Sequence, residues 1–306
     1  MKKEYIVLIV FVLFISSCTD SGSSSGGPSN TKWRTGTDGV RMSFVNDNPP
    51  REILSTQDLS VMVEYSNKGA FDITGSGAKF YLTGYDSSIF FNSPIQEFES
   101  GAIGGKNQFN TEGSQTAYAH WTTPVNINKD HKVDSFTTGL AVTSCYKYRT
   151  QALPTVCVDP QKYDMVVATR CGYSVQDLGT SQGAPIAVTD IKKRTTKDTV
   201  SFEITIQNKG QGLPFIKNSL DNCHNSLGLK DINMVELSKI SLSGKDFTNR
   251  CQPSTTIRLD DSGKGIIFCD RDLTENTYFN GLMEIVLDYN YRDTMTTDVT
   301  IVNLNR

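Results

Sequence analysis

The chain carries the same set of landmarks twice, and this internal repeat fixes its organisation before any fold is assumed. Val61-Met-Val-Glu-Tyr-Ser-Asn67-Lys68-Gly69 is matched by Phe202-Glu-Ile-Thr-Ile-Gln-Asn208-Lys209-Gly210, and the two Asn-Lys-Gly triplets stand 141 residues apart. Gly139-Leu140 leads to Tyr146-Lys-Tyr148-Arg149, while Gly281-Leu282 leads to Tyr289-Asn-Tyr291-Arg292, at offsets of 142 and 143. Short alternating segments, Val40-Arg-Met42-Ser-Phe44 and Ile186-Ala-Val188-Thr-Asp-Ile191, open each copy. One shared triplet is cheap; several in the same order with so little drift are not. Residues 32–178 and 184–306 therefore read as tandem relatives joined by the turn-rich connector 179–183.

Each copy reads as β. Apolar and polar residues alternate in Leu59-Ser-Val-Met-Val-Glu-Tyr65, Ala78-Lys-Phe-Tyr-Leu82, Thr199-Val-Ser-Phe-Glu-Ile-Thr-Ile206 and Leu282-Met-Glu-Ile-Val-Leu-Asp-Tyr-Asn-Tyr291. That is the period of strands with one buried face. Thr255–Leu259 and Ile266–Cys269, around Asp260-Asp-Ser-Gly-Lys-Gly265, read as a hairpin. About seven short strands per copy predict an all-β fold of two tandem immunoglobulin-like antiparallel β-sandwiches. The paired tyrosines are expected to point inward in a tyrosine-corner arrangement; the alternative is an exposed strip that stacks on sugar rings.

A strand closed by Asn-Lys-Gly resembles the signature strand of CARDB and related envelope β-sandwich modules. The resemblance implies a left-handed turn at these residues, which Asn and Gly tolerate. Trp33-Arg-Thr-Gly-Thr-Asp-Gly39, with Pro49-Pro50 further on, is more loosely similar to secreted archaeal proteins, and nothing about activity follows from that.

The N-terminus supplies an address. Lys2 and Lys3 precede an apolar run of 11 residues, Tyr5–Ile15, about half of the roughly 20 that a membrane-spanning helix needs. Ile15-Ser16-Ser17-Cys18 follows, and it resembles the lipobox of prokaryotic lipoproteins. That resemblance implies a signal peptide over 1–17, cleavage before Cys18 and a thioether-linked lipid on its sulfur. Residues 18–31 hold the Gly/Ser-rich Thr19–Asn30, a flexible tether. Loss of Lys2, Lys3 and Glu4 takes the net charge from −3 to −4, so no polybasic patch assists attachment. The implied address is the cell surface or the extracytoplasmic face of a membrane, and the weakly acidic body argues against nucleic acid as a partner.

Six cysteines remain beyond Cys18. An even number in an exported chain reads as disulfides. Cys251 and Cys269 flank the hairpin-like segment, and Cys157 and Cys171 bracket a short excursion. If both pairs form, Cys145 and Cys223 are left to join across the boundary between copies; the alternative is a pairing of Cys145 within its own half. No Cys-x-x-Cys spacing suggests a metal. With three histidines in all, adjacent Cys223-His224 and the isolated His120 and His131 give no catalytic constellation. Asp260-Asp261 and Asp270-Arg271-Asp272 read as turn residues, without calcium-loop spacing. No cofactor and no enzyme activity are expected.

Residues 85–114 form a long insertion containing Phe90 and Phe91, either a contact surface or a further hairpin. The expected function is adhesion or envelope protein contact by a lipid-anchored body. The alternative is a carbohydrate-binding surface module using Trp33, Trp121, Phe90 or Phe91.

Overall fold

A computed structural model describes residues 33–127, 133–161, 170–172, 175–224 and 227–304. Cys18, the tether and His131 lie outside the described residues. The described chain is nearly all β, with 54% of residues in strands and 4% in helix, and its sheets are antiparallel but for one short pair.

In the first half the strands are β1 (Val40–Phe44), β2 (Glu52–Leu54), β3 (Asp58–Asn67), β4 (Lys79–Thr83), β5 (Gln96–Glu99), β6 (Ala117–Pro124), β7 (Ser135–Ala152) and β8 (Thr155–Val158). The second half continues with β9 (Ile186–Thr195), β10 (Thr199–Asn208), β11 (Leu213–Phe215), β12 (Met234–Leu242), β13 (Lys245–Asp246), β14 (Cys251–Gln252), β15 (Thr256–Arg258), β16 (Lys264–Asp272) and β17 (Phe279–Val302). They form a three-stranded sheet β1-β3-β6, a four-stranded sheet β14-β16-β10-β9, and a ten-stranded sheet whose spine is β13-β12-β17-β7-β4-β5.

The spine crosses the repeat boundary. β7 and β17 pair antiparallel without a break from Ile285↔Ala152 to Val302↔Ser135. The two halves therefore share one sheet rather than standing as beads on a connector. Short first-half strands also join β17: β2 pairs in parallel with Thr300–Val302, and β8 pairs with Phe279–Leu282. Each smaller sheet contributes to the same hydrophobic cluster, from Val61 and Ala119 on one side to Phe202 and Ile267 on the other. The connector is pinned as well. Buried Gln182 donates to the carbonyls of Leu178 and Val188 and accepts the Val188 N–H, while Gly183 C=O accepts the Ala70 N–H at 2.7 Å.

At the centre of the β7–β17 ladder, Tyr146 faces Tyr291 and Tyr148 faces Tyr289, with Lys147 opposite Asn290 between them. Because Tyr146 corresponds to Tyr289 in the repeat, a local two-fold axis passes between Lys147 and Asn290. The four rings are buried in the core and touch at centroid distances of 5.6 to 6.3 Å. Their hydroxyls reach equivalent partners. Tyr148 donates to Asn67 Oδ1 (3.0 Å) and Tyr291 to Asn208 Oδ1 (3.1 Å). The packing expectation holds for these tyrosines, and the partner is the Asn of the Asn-Lys-Gly triplet.

Three sequence expectations need correction. Asn67, Gly69, Asn208 and Gly210 are not among the residues with positive φ, so a left-handed turn is not what the triplet supplies. Gly69 is required for space: a Cβ there would collide with the Tyr148 hydroxyl, and one on Gly210 with the Tyr291 hydroxyl. Secondly, Thr256–Arg258 and Lys264–Asp272 do not form a hairpin. β15 pairs with β12 in the large sheet and β16 with β10 and β14 in the small one. The turn at Asp260 passes between layers, and Gly265 lets them close, since a Cβ there would meet Ile257 Cγ2 at 2.7 Å. Thirdly, Asp270, Arg271 and Asp272 lie on β16, where Asp272 takes two 3.0 Å bonds from Arg250.

Candidate functional site

The three disulfides of the body join Cys145 to Cys223, Cys157 to Cys171 and Cys251 to Cys269. Cys251 and Cys269 sit directly opposite each other on β14 and β16. The Cys145–Cys223 bond crosses between halves on the outer face of the large sheet, in a small cluster with Tyr81 and Phe215. With its sulfur in that bond, Cys223 makes no nucleophile with His224, whose ring instead stacks on Tyr81 at 4.7 Å. His120 Nε2 lies 3.0 Å from both Ser60 and Thr122 hydroxyls. Among the described residues no three of His, Cys, Asp and Glu gather as a metal-ion set.

The aromatic candidates separate by burial. Phe90 is 0% and Trp121 7% exposed, the latter edge-on to Phe98, so neither presents a face on which a sugar could stack. Phe91 and Trp33 are half-buried, and the Trp33 ring is covered by the Arg34 guanidinium at 4.4 Å. The long insertion packs down through Ile89 and Phe90 and extends the large sheet with β5, paired to β4.

Two clefts of about 350 and 340 Å³ adjoin one another along the edge of β7 and share Phe71, Thr74 and Arg149. The larger also carries Gly75–Gly77, Lys147, Lys217 and Asp288; Arg34 and Gln151 belong to the smaller. Arg149 anchors the floor. Its Nε and Nη2 donate to the two Asp288 oxygens at 2.6 and 2.8 Å, a bidentate pair, and Ser238 adds a 2.7 Å bond to the same carboxylate. Burial pushes the Asp288 carboxyl up, but the bonds from Arg149 and Ser238 outweigh it and hold the group below the ordinary carboxylate range. Next along β7, Gln151 donates to Glu284 at 2.7 Å, and Lys239 donates to the other Glu284 oxygen.

The clefts exist because the repeat is broken here. In the second half, Leu213-Pro214-Phe215 follows the triplet and pairs with Asn290–Arg292 as β11. The equivalent residues at the 141-residue offset are Asp72-Ile73-Thr74. They do not pair with β7. Ile73 exchanges both backbone bonds with Ile103 (2.9 and 2.8 Å), and Asp72 Oδ1 accepts the Gly105 N–H at 2.6 Å. Gly75 and Gly77, both at positive φ, then carry the chain away to β4. Of these residues, the landmarks of the sequence repeat single out Arg149 but not Lys147, Asp288 or the 71–77 segment. The available signal was the replacement of apolar Leu213 and Phe215 by Asp72 and Thr74 at a place where the repeat otherwise holds.

No family model matches the chain, and no curated protein sequence matches it. Among solved structures it is similar to one titled BspA_C_mut, at 11% identity and a TM-score of 0.20, covering 86% of this chain and 98% of that one. The partial N-terminal region of an enterococcal surface protein gives 8% identity, coverage of 87% and 93%, and a TM-score of 0.20. The B domain of a biofilm associated protein gives 8%, 89%, 86% and 0.15. Likenesses at these TM-scores carry no argument.

Proposed function

We propose that this chain is a lipid-anchored, extracytoplasmic binding protein, non-enzymatic, that works by protein contact at an envelope surface. The observation that carries the reading is cysteine usage: six of the seven cysteines pair into three disulfides, and the seventh, Cys18, follows a lipobox-like Ile-Ser-Ser. Disulfides of this kind belong to oxidising compartments. The acyl chains would hold the body at the membrane while the tether gives it reach. A rigid, cross-linked double sandwich then serves as a frame that presents an edge to a partner.

The test is membrane partition of the wild-type chain and Cys18→Ser after expression with its own leader. Wild type is expected in the membrane fraction with an N-terminal diacylglyceryl mass increment, and the variant in the soluble extracytoplasmic fraction. Equal partition of both, or reduced thiols on the wild-type body, would overturn the reading.

A further inference from the structure

We propose that the edge of β7 over Lys147–Gln151 is an acceptor for an extended, acidic segment of a partner protein, which binds by adding a strand to the large sheet. The proposal rests on the protein-contact reading above and gives it a place and a chemistry.

The direction of the backbone groups follows from proline. Pro214, opposite Tyr291, has no N–H, and its carbonyl accepts from Asn233; Leu213 and Phe215 therefore make the bonds to Arg292 and Asn290. Alternation along β17 then turns Tyr289 and Tyr291 toward β7, so Tyr146 and Tyr148 bond to β17. Lys147, Arg149 and Gln151 consequently aim their N–H and C=O groups the other way. The same parity emerges independently at β4. Ser100 N–H donates to Ala78 C=O, which turns even residues of β4 to β5 and leaves Lys79 and Tyr81 for Cys145 and Thr143.

β4 ends its pairing at Cys145. Beyond that point β7 has a strand only on its β17 side, and none of the backbone bonds among the described residues involves the outward groups of Lys147, Arg149 or Gln151. The outward groups face the clefts. The second half shows the same edge filled: there Leu213–Phe215 lies against Asn290–Arg292. An incoming strand would reproduce that geometry, with its outer two residues opposite Lys147 and Arg149 and its middle one opposite Tyr148.

Charge selects the occupant. Residues directly opposite each other share a face, so the outer two side chains meet Lys147 and Arg149. Arg149 is already held by Asp288, whereas Lys147 has no ion-pair partner among the described residues and Lys217 stands 3.7 and 3.8 Å from its two carboxylates. Carboxylates at the outer positions complement the excess of cations lining the clefts, where Arg34, Lys147, Arg149 and Lys217 stand against Asp72 and Asp288, and an apolar residue between them falls beside Phe71 and Tyr148, whose rings meet edge-on. The inferred motif is acidic, apolar, acidic in an extended chain.

The probe is acetyl-Ser-Glu-Ile-Glu-Ile-Ser-amide added to the full chain in detergent, read by hydrogen-exchange mass spectrometry over 146–152. Without peptide, the Lys147, Arg149 and Gln151 amides are expected to exchange quickly while those of Tyr148 and Thr150 stay protected. With peptide, the outward amides should slow by about tenfold or more. The same peptide N-methylated at both Glu residues, and a Lys-for-Glu version, should give no protection. Lys147→Glu should reverse the preference between the Glu and Lys peptides. Protection of the outward amides in the free monomer, equal protection by the N-methylated peptide, or no change in preference with Lys147→Glu would each overturn the proposal. So would protection that grows with protein concentration alone, which would assign the edge to a second copy. None of these results touches the partition of Cys18→Ser, so the two readings fail separately.

Discussion

Asn67 and Asn208 each close a small circuit. The side-chain amide donates to a carbonyl four residues on, Phe71 or Gly212, and the side-chain oxygen accepts the tyrosine hydroxyl. Asn67 Oδ1 also takes the Gly69 N–H at 3.1 Å. Tyr148→Phe removes the bond to Asn67 Oδ1, which keeps that amide, and also takes from the Phe71 N–H its hydroxyl acceptor, so a loss of about 2 kcal/mol is expected in denaturant unfolding. Gly69→Ala should cost more, about 3 kcal/mol or above, because its Cβ would also meet the Asp38 and Gly183 carbonyls at 2.5 and 2.7 Å. Gly210→Ala should act in the same direction. A pure backbone-entropy role would instead make both glycine variants neutral or stabilising. The residues of this circuit were legible in the sequence as repeated triplets and tyrosine pairs. That they touch was not, because 81 residues separate Asn67 from Tyr148 and no local pattern encodes the contact. For the same reason the triplet's sequence points to turn geometry for the glycine, whereas its function is to admit a hydroxyl.

Strand existence was readable from alternation, as in β3, β4 and β10; strand partners were not. β15 and β16 are neighbours in sequence with a Gly-bearing turn between them, which is the local signature of a hairpin, yet they belong to opposite layers. The open edge at β7 was hidden for a similar reason: it depends on whether Asp72–Thr74 prefers β7 or Ile103. Beyond the end of β16, Glu275 shows how side chains hold such elements in place. It accepts from Arg271 at 2.8 Å and Lys245 at 3.2 Å, tying the strand's exit to β13. Burial pushes its carboxyl up, but the two cations bring it down to about 2 from an ordinary 4.5. A carboxyl with a lower pKa in the folded state contributes stability that is complete above the unfolded value and disappears as pH falls through the folded one. Stability should therefore decline between pH of about 4.5 and 2, and Glu275→Gln should flatten that part of the profile. An unchanged acid limb in the variant would show that other carboxylates dominate.

At the scale of the whole molecule, duplication was visible and fusion was not. Repeat offsets indicate how many units there are, but the β7–β17 ladder joins residues more than a hundred positions apart, and its register becomes apparent only once the tyrosines are seen face to face. The Cys145–Cys223 bond adds a covalent tie across the same boundary, spanning 78 residues. Removing it with paired Ala substitutions should cost about 2 to 4 kcal/mol, while the ladder keeps the halves together. The stronger consequence concerns cooperativity. β17 is bordered by β12 and β11 from its own half and by β2, β7 and β8 from the other, and one apolar cluster runs beneath both. Neither half can open without exposing a long strand edge and half of the tyrosine quartet, so partial unfolding carries most of the cost of global unfolding and gains little of its entropy. Calorimetry of the oxidised protein is accordingly expected to give one transition, with calorimetric and van't Hoff enthalpies equal. Residues 184–306 expressed alone should not reach a cooperatively folded state. Two resolved transitions, or a folded isolated half, would mean that the shared sheet is a contact between independent domains rather than the centre of a single one.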